Sequence, residues 1–255
     1  MKAIELRNTD NQIQTMIDLS VGLQIPSAIL RRDLIKRAFD KIHASGRQVH
    51  EPKSTAGHRH SVKTRGKGTG SSRVQRKKDS GDAAQSPNNV GGRRAHPPRR
   101  NAKPWKSINR KENRLAILNC LAASLDPETV YSRSENTCSF VLSDEVIETI
   151  HTTKAALELF ERLGFAEELE YTKARSKIFK PGRGKFRGRL HRHPQAFLLV
   201  VGDYELPIVR AVAGLKGIEC ITGDDLNVRS LAPGGRPGRL IVFEQSVFNF
   251  INEKY

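Results

Sequence analysis

Between Lys63 and Asp82 the sequence reads KTRGKGTGSSRVQRKKDSGD, with seven basic side chains, four glycines and one apolar residue, Val74. The chemistry open to such a set is phosphate neutralisation. Lys and Arg displace the counterions of a polyanion, and glycines let backbone N–H groups come close to a sugar-phosphate chain. Along the whole tract the candidates are Lys53, Arg59, Lys63, Arg65, Lys67, Arg73, Arg76, Lys77, Lys78, Arg93, Arg94, Arg99, Arg100 and Lys103. A second tract, KIFKPGRGKFRGRLHR (177–192), adds Lys177, Arg183, Lys185, Arg187, Arg189 and Arg192. It also carries Phe186, a ring in basic surroundings suited to stacking on a base; Trp105, at the end of the first tract, is suited equally to stacking on a base and to anchoring the base of the loop against the body.

Other chemistries fit these residues less well. RGKGTG is not a phosphate loop of the Walker type, because Gly66, Gly68 and Gly70 alternate and no strand and helix flank them. PGRGKFRGR departs by one residue from Gly-x-Gly-x-x-Gly and precedes its strand instead of following it. The turns GDYE (202–205) and GDDL (223–226) would set carboxylates where a doubly wound sheet holds a pyrophosphate. Two His-x-His pairs, His58 with His60 and His191 with His193, lie among Arg and Lys with no Cys nearby, and positive surroundings disfavour a cation. Those imidazoles are better suited to bases, phosphates or water. Asp224 and Asp225 read as turn or helix-start residues. No nucleophile and base can be paired from linear order, so the expectation is a protein with no catalytic residues, no metal and no cofactor.

The composition points the same way. The chain has 255 residues, a net charge of +17 and a pI near 10.1, which calls for a polyanionic partner, nucleic acid before an anionic membrane surface. No apolar run approaches the roughly 18 residues of a spanning helix. The start, MKAIELRNTDNQ, lacks the apolar core of a secretory signal. Cys120, Cys138 and Cys220 are odd in number and widely spaced, as expected of reduced thiols in a cytosolic protein. Charge is unevenly spread: residues 44–111 carry 18 Lys or Arg against three acids, residues 173–192 carry nine against none, and the remainder has 17 against 24. A mildly acidic body thus bears two strongly basic segments.

The elements that must position these tracts read as α/β. Helical spacing of apolar residues predicts a helix from Pro26 to His43, with Gly46 past its end, and another from an Asn109 cap with Glu112 to a stop before Pro127. Four short apolar runs, 138–142, 196–201, 218–222 and 239–243, predict buried parallel strands. Residues 143–164 read as helical with a break near Thr152 and Thr153, and 206–214 as a crossover helix, right-handed by the usual rule. The expected fold is a roughly four-stranded parallel sheet flanked by helices in three layers. The globular domain comprises 1–45 and 109–255, interrupted by an extended basic loop over 46–108, with a second basic segment at 173–194.

That interruption is an insertion and not a tail. The 62 residues between Gly46 and Asn109 contain no Leu, Phe or Met. So little apolar surface cannot offset an ordering entropy on the order of 1 kcal/mol or more per residue. A partner must order it, and at about 3.3 Å per residue its limbs reach at most roughly 100 Å.

Several blocks carry a resemblance. GGRRAHPP (91–98), NRKENRLAILNCLAAS (109–124), KIFKPGRGKFRGR (177–189) and LAPGGRPGRLIVF (231–243) resemble the large-subunit ribosomal protein L4 family in its archaeal and eukaryotic form, in order and over nearly the whole chain. RGKGTGSSR (65–73) is similar to the loop of the bacterial branch. The resemblance implies a non-enzymatic component of the cytosolic large subunit that binds and helps to fold ribosomal RNA beside neighbouring ribosomal proteins, with no homo-oligomer and no membrane. It implies an internal loop lining the peptide exit tunnel, with Arg65, Gly66, Lys67 and Gly68 at the tip facing the nascent peptide. Arg93, Arg94, His96, Arg99 and Arg100 match the returning limb, and 177–192 a second RNA-contacting region. FKPG holds one residue more than the family's usual spacing, and Glu244 stands where a hydroxyl residue is common. The alternatives are a chromatin-like compacting protein, which would bind duplex DNA equally well, and a nucleotide-dependent RNA enzyme.

Overall fold

Runs in which every residue is apolar suit strands covered on both faces, and amphipathic runs suit the helices that cover them. The computed structural model describes residues 3–20, 23, 29–127, 129, 130 and 138–254. It divides into two compact units, residues 1–43 with 106–255, and residues 44–105. In chain order the elements are β1 (Ala3–Arg7), β2 (Ile13–Asp18), α1 (Arg32–Ser45), β3 (Val62–Thr64), β4 (Gln75–Lys77), α2 (Arg110–Leu125), β5 (Phe140–Leu142), α3 (Asp144–Thr149), α4 (Thr153–Phe160), α5 (Ala166–Lys177), β6 (Leu198–Val201), α6 (Pro207–Val212), β7 (Glu219–Thr222), α7 (Val228–Leu231), β8 (Ile241–Glu244) and α8 (Gln245–Lys254).

The first unit is built on a six-stranded sheet in the order β2-β1-β5-β8-β6-β7. All four expected parallel strands are present, with Phe140 opposite Val242, Leu199 opposite Val242, and Leu199 opposite Cys220. Two strands precede them: β1 joins β5 in parallel, Leu6 opposite Val141, and β2 turns back antiparallel along β1. Sequence reasoning missed this hairpin because β2 is an edge strand whose apolar Ile13 and Met16 stay exposed, so it lacks the signature of a buried strand.

Side-chain alternation along each strand makes two cores. Val141, Leu198, Val200, Ile241 and Phe243 pack with α1, α2, α7 and α8. Phe140, Leu142, Leu199, Val201 and Val242 pack with α3, α4, α5 and α6. The second core is anchored by a ring cluster: Phe165 stacks on Phe197 at 4.3 Å between centroids, and Phe160 tilts against Phe197 at 4.9 Å.

Local rules set the helix boundaries. Asn109 Oδ1 accepts from Lys111 N (3.1 Å) and starts α2 as the sequence predicts, but Glu112 does not close a capping box; it pairs with Arg37 of α1 at 3.3 Å. Lys106 likewise meets Asp40 at 3.3 Å, and its hydrogen bond holds that carboxyl below the ordinary range. Helix α1 opens at Arg32, and the expected first turn around Pro26 lies outside the described residues. Its start is capped from another helix: the buried Asn119 of α2 accepts from Arg31 N (3.0 Å) while donating to Leu115 O (2.7 Å). Thr152 accepts from Ala155 N and marks the expected break between α3 and α4. Helices α5 and α8 had no place in the sequence reading, and α5 makes the start of the second basic tract helical as far as Lys177.

Two charged groups are spent inside this unit. Arg239, 4% exposed, pairs with Glu219 (2.6 Å) and donates to Ser230 O (2.6 Å) and Phe197 O (3.2 Å), joining β8 to β7, α7 and the residue before β6. Glu244 is buried at the carboxyl end of β8, its Oε2 accepting from Gly202 N at 2.5 Å. Burial pushes its carboxyl above the ordinary 4.5, with Asp144 and Glu148 adding to the shift and the Gly202 N–H opposing it. Burial also raises the Cys120 and Cys220 thiols to about 12, which keeps both protonated and unreactive.

Phe197→Ala should cost about 3–5 kcal/mol in chemical denaturation, because it opens the ring cluster. A carboxyl whose pKa is raised by folding takes up a proton as the chain folds, so stability falls as pH rises past about 4.5. Glu244→Gln should therefore melt above the wild type at pH 7, with the difference disappearing below that value. Equal melting at both pH values would contradict the assignment.

Candidate nucleic-acid interface

The 44–105 unit has almost nothing to bury. Apart from Ala44 at the end of α1, its one buried apolar side chain is Ala84, 3% exposed. The span expected to be extended nevertheless has local structure, and backbone hydrogen bonds supply it. Strands β3 and β4 pair antiparallel, Lys63 opposite Arg76. The chain then folds back, with Lys77 N donating to Asp82 O (2.8 Å) and Ala84 N to Gln75 O (2.9 Å). Gln85 Nε2 reaches across to His58 O (3.2 Å) and His60 O (2.5 Å).

This arrangement places the sequence-predicted residues. Arg65, Gly66, Lys67 and Gly68 lie in the reversal that joins β3 to β4, where Gly68 and Gly70 take positive φ and Thr69 Oγ1 donates to Gly66 O. Lys63, Arg65, Lys67, Arg73 and Lys78 are exposed. Arg76 is turned to internal use, donating to Gly81 O and Ser72 Oγ (3.0 Å each). Arg59 donates to Thr55 Oγ1 (3.4 Å). Lys53, Arg93, Arg94, His96, Arg99, Arg100 and Lys103 are exposed along the two limbs, as is Trp105. Among the described residues, none of the unit's 15 Lys and Arg has a carboxylate partner. Unpaired cations at this density repel one another, and counter-charge from a polyanion relieves that repulsion.

The second tract, in the first unit, is a basic excursion with an apolar surface. Helix α5 ends at Lys177; Lys180 N then donates to Leu190 O (2.8 Å), and a 3₁₀ turn over Arg183–Arg187 forms the far end. Phe186 is 81% exposed there, with Lys185 Nζ 5.4 Å from its ring. Arg183, Lys185, Arg187, Arg189 and Arg192 flank it in the chain, none with an acidic partner among the described residues. Phe179, 63% exposed, packs against His191 at 5.3 Å, and Ile178 is exposed beside it. Sequence reasoning singled out Phe186 and passed over Ile178 and Phe179. Their signal was an apolar pair between Lys177 and Lys180, which reads equally well as the end of a helix.

The carboxyl ends of the parallel strands have the opposite sign. Asp203, Asp224 and Asp225 follow β6 and β7, beside the buried Glu244. A pyrophosphate brought to this edge would meet carboxylates, so the two basic tracts, and not the sheet edge, are the surfaces suited to phosphate. His58 and His60 have their carbonyls tied to Gln85, and His191 has its ring against Phe179; neither pair joins a cluster of three or more metal-ligating groups among the described residues.

The profile of the "Ribosomal protein L4/L1 family" matches residues 22–254. "Large ribosomal subunit protein uL4" of Saccharolobus solfataricus is 33% identical, over 99% of this chain and 95% of its own length. The proteins of the same name from Methanocaldococcus jannaschii and Archaeoglobus fulgidus are each 38% identical over 88% of this chain, covering 89% and 88% of their own lengths.

The two kinds of contact should separate experimentally. Phe186→Ala should weaken binding to structured RNA by about 1–3 kcal/mol while leaving the salt dependence unchanged, as expected for a lost stack. Arg183→Gln should lower the slope of log K against log salt by about 0.7–0.9. Identical behaviour of the two variants in filter binding over a salt series would refute the division.

Proposed function

The chain belongs to the ribosomal protein L4/L1 family, and from that premise we propose that it is a structural component of the large ribosomal subunit that binds and helps to fold large-subunit ribosomal RNA. One observation supports this most strongly: a unit with 15 Lys and Arg, none with a carboxylate partner among the described residues, and a single buried apolar side chain beyond its junction with α1. Such a segment is matched by phosphates and by little else. It binds by charge and shape, without reading sequence, and it makes its contacts with single-stranded and irregular RNA as well as with helix backbones.

Within that role the reversal at Arg65, Gly66, Lys67 and Gly68 lines part of the peptide exit tunnel and meets the nascent peptide. The resemblance of RGKGTGSSR and GGRRAHPP to the family's loop supports this, and so does the position of those four residues between β3 and β4. Arg93, Arg94, His96, Arg99 and Arg100 hold the returning limb to RNA, and 177–192 grips a second RNA region. The protein works in the cytoplasm beside other large-subunit proteins and has no catalytic role. No described helix is long and apolar enough to cross a membrane.

In a sucrose gradient the chain should travel with large subunits and protect their RNA from cleavage. Replacing Arg93, Arg94 and Arg99 together by Gln should lower the salt slope of RNA binding by roughly 2–3. Neutralising three exposed Lys of the acidic body should change it far less. A chain that stays at the top of the gradient, or whose binding is indifferent to salt, would refute the reading.

A further inference from the structure

The 44–105 unit contains a cleft of about 540 Å³ between its outgoing limb (50–58) and its returning limb (93–99). Four cations line it, Lys53, Arg93, Arg94 and Arg99, against a single carboxylate, Glu51. Rings supply much of the remaining wall, from His50, His58, Pro52, Pro97 and Pro98, with the small Ser54, Ala56 and Ala95 between them.

The two limbs meet where the Gly57 backbone comes close to Gly92 and Arg93. Gly57 has φ +78°, and a Cβ there would fall 2.4 Å from the Arg93 backbone; a Cβ on Gly92 would fall 2.0 Å from Ser86 O. Only glycine permits this approach at either position, and the Gln85 bonds to His58 O and His60 O close the same junction. The cleft is therefore set by this backbone approach and the Gln85 bonds, and it does not depend on side chains converging on a ligand.

We propose that this cleft takes one unstacked nucleotide of the RNA, with its phosphate among Lys53, Arg93, Arg94 and Arg99 and its base against the rings of His50, His58 and the proline pair. The assignment rests on the rRNA-binding reading above and deepens it. The volume lies within the roughly 300–1,000 Å³ of small-ligand sites and is larger than a lone phosphate needs. Arginines that have no acidic partner exclude the basic tail of a neighbouring protein and any metal cation. Recognition of RNA at single-stranded positions works by splaying a base out against rings and guanidinium planes, and that is the inventory of this wall. A nucleotide held here would also pin the two limbs at a fixed spacing along the span.

Ultraviolet cross-linking of native large subunits, read by mass spectrometry of the peptides, tests the assignment. The expected result is a mononucleotide adduct on a cleft residue, His50 or His58 first. Ala56→Trp fills the cleft without removing a charge, and it should cut that adduct by about tenfold, the loss of one stacked base. The same variant should expose one nucleotide to base-directed chemical modification while the chain remains in the large-subunit fraction. His58→Ala, a smaller change, should lower the same adduct if the tryptophan variant fails to assemble. Adducts at the 65–68 reversal and on 177–192 with none in the cleft would overturn the assignment and leave the ribosomal role standing. A protein cross-link in the cleft, or a modification map that Ala56→Trp leaves unchanged, would overturn it equally. Absence of the wild-type chain from large subunits would remove both.

Discussion

Unpaired positive charge on backbone that buries nothing is the constraint on which the structure turns. In the 44–105 unit the usual stabilising term is missing: one buried alanine beyond the end of α1 supplies almost no apolar area, and ordering tens of residues costs on the order of 1 kcal/mol each. The hydrogen bonds of β3 with β4, and the bonds from Gln85, choose a conformation, but each contributes only about 1 kcal/mol net in water. Phosphates placed against these Lys and Arg, as proposed, would supply what burial does not. The gain comes from released counterions and is therefore sensitive to salt.

The remaining unit obeys the opposite rule. Its sheet is covered on both faces, and outside the 177–192 tract its buried charges are spent internally or set away from phosphate. Arg239 is the clearest case of internal use, a guanidinium removed from any RNA surface to hold β7, α7 and β8 together. Glu244 carries a cost of its own: a carboxylate buried beside Asp144 and Glu148, compensated in part by the Gly202 N–H. The acidic carboxyl edge of the sheet, where related architectures hold nucleotides, is thereby turned against phosphate.

Much of this was legible in the residues because burial leaves a pattern. LLVV and IVFE have apolar side chains on both faces and gave their strands away, and Asn109 announced the start of α2. Strand β1 did carry a signal, Ile4 and Leu6 alternating with Glu5 and Arg7, that the sequence reading passed over; β2 was not legible, since an exposed edge strand has no buried face to find, and α5 was hidden by a mainly polar sequence. At the interface the charges were visible but their use was not: Arg76 and Lys63 look alike in sequence, and only the fold shows that Arg76 donates to Gly81 and Ser72. The cleft was invisible for a different reason, because it depends on the approach of Gly57 to Gly92 and Arg93, two stretches far apart in the chain.

Amide hydrogen exchange, followed on the isolated chain and on the same chain within large subunits, puts the central claim to the most direct test. The strands and helices of the sheet unit should be protected in both. The amides of β3, β4 and the Lys77–Ala84 return should exchange within seconds in the isolated chain and become slow only beside RNA. Equal, strong protection of those amides without RNA would mean that the basic span orders itself, and the account would be wrong.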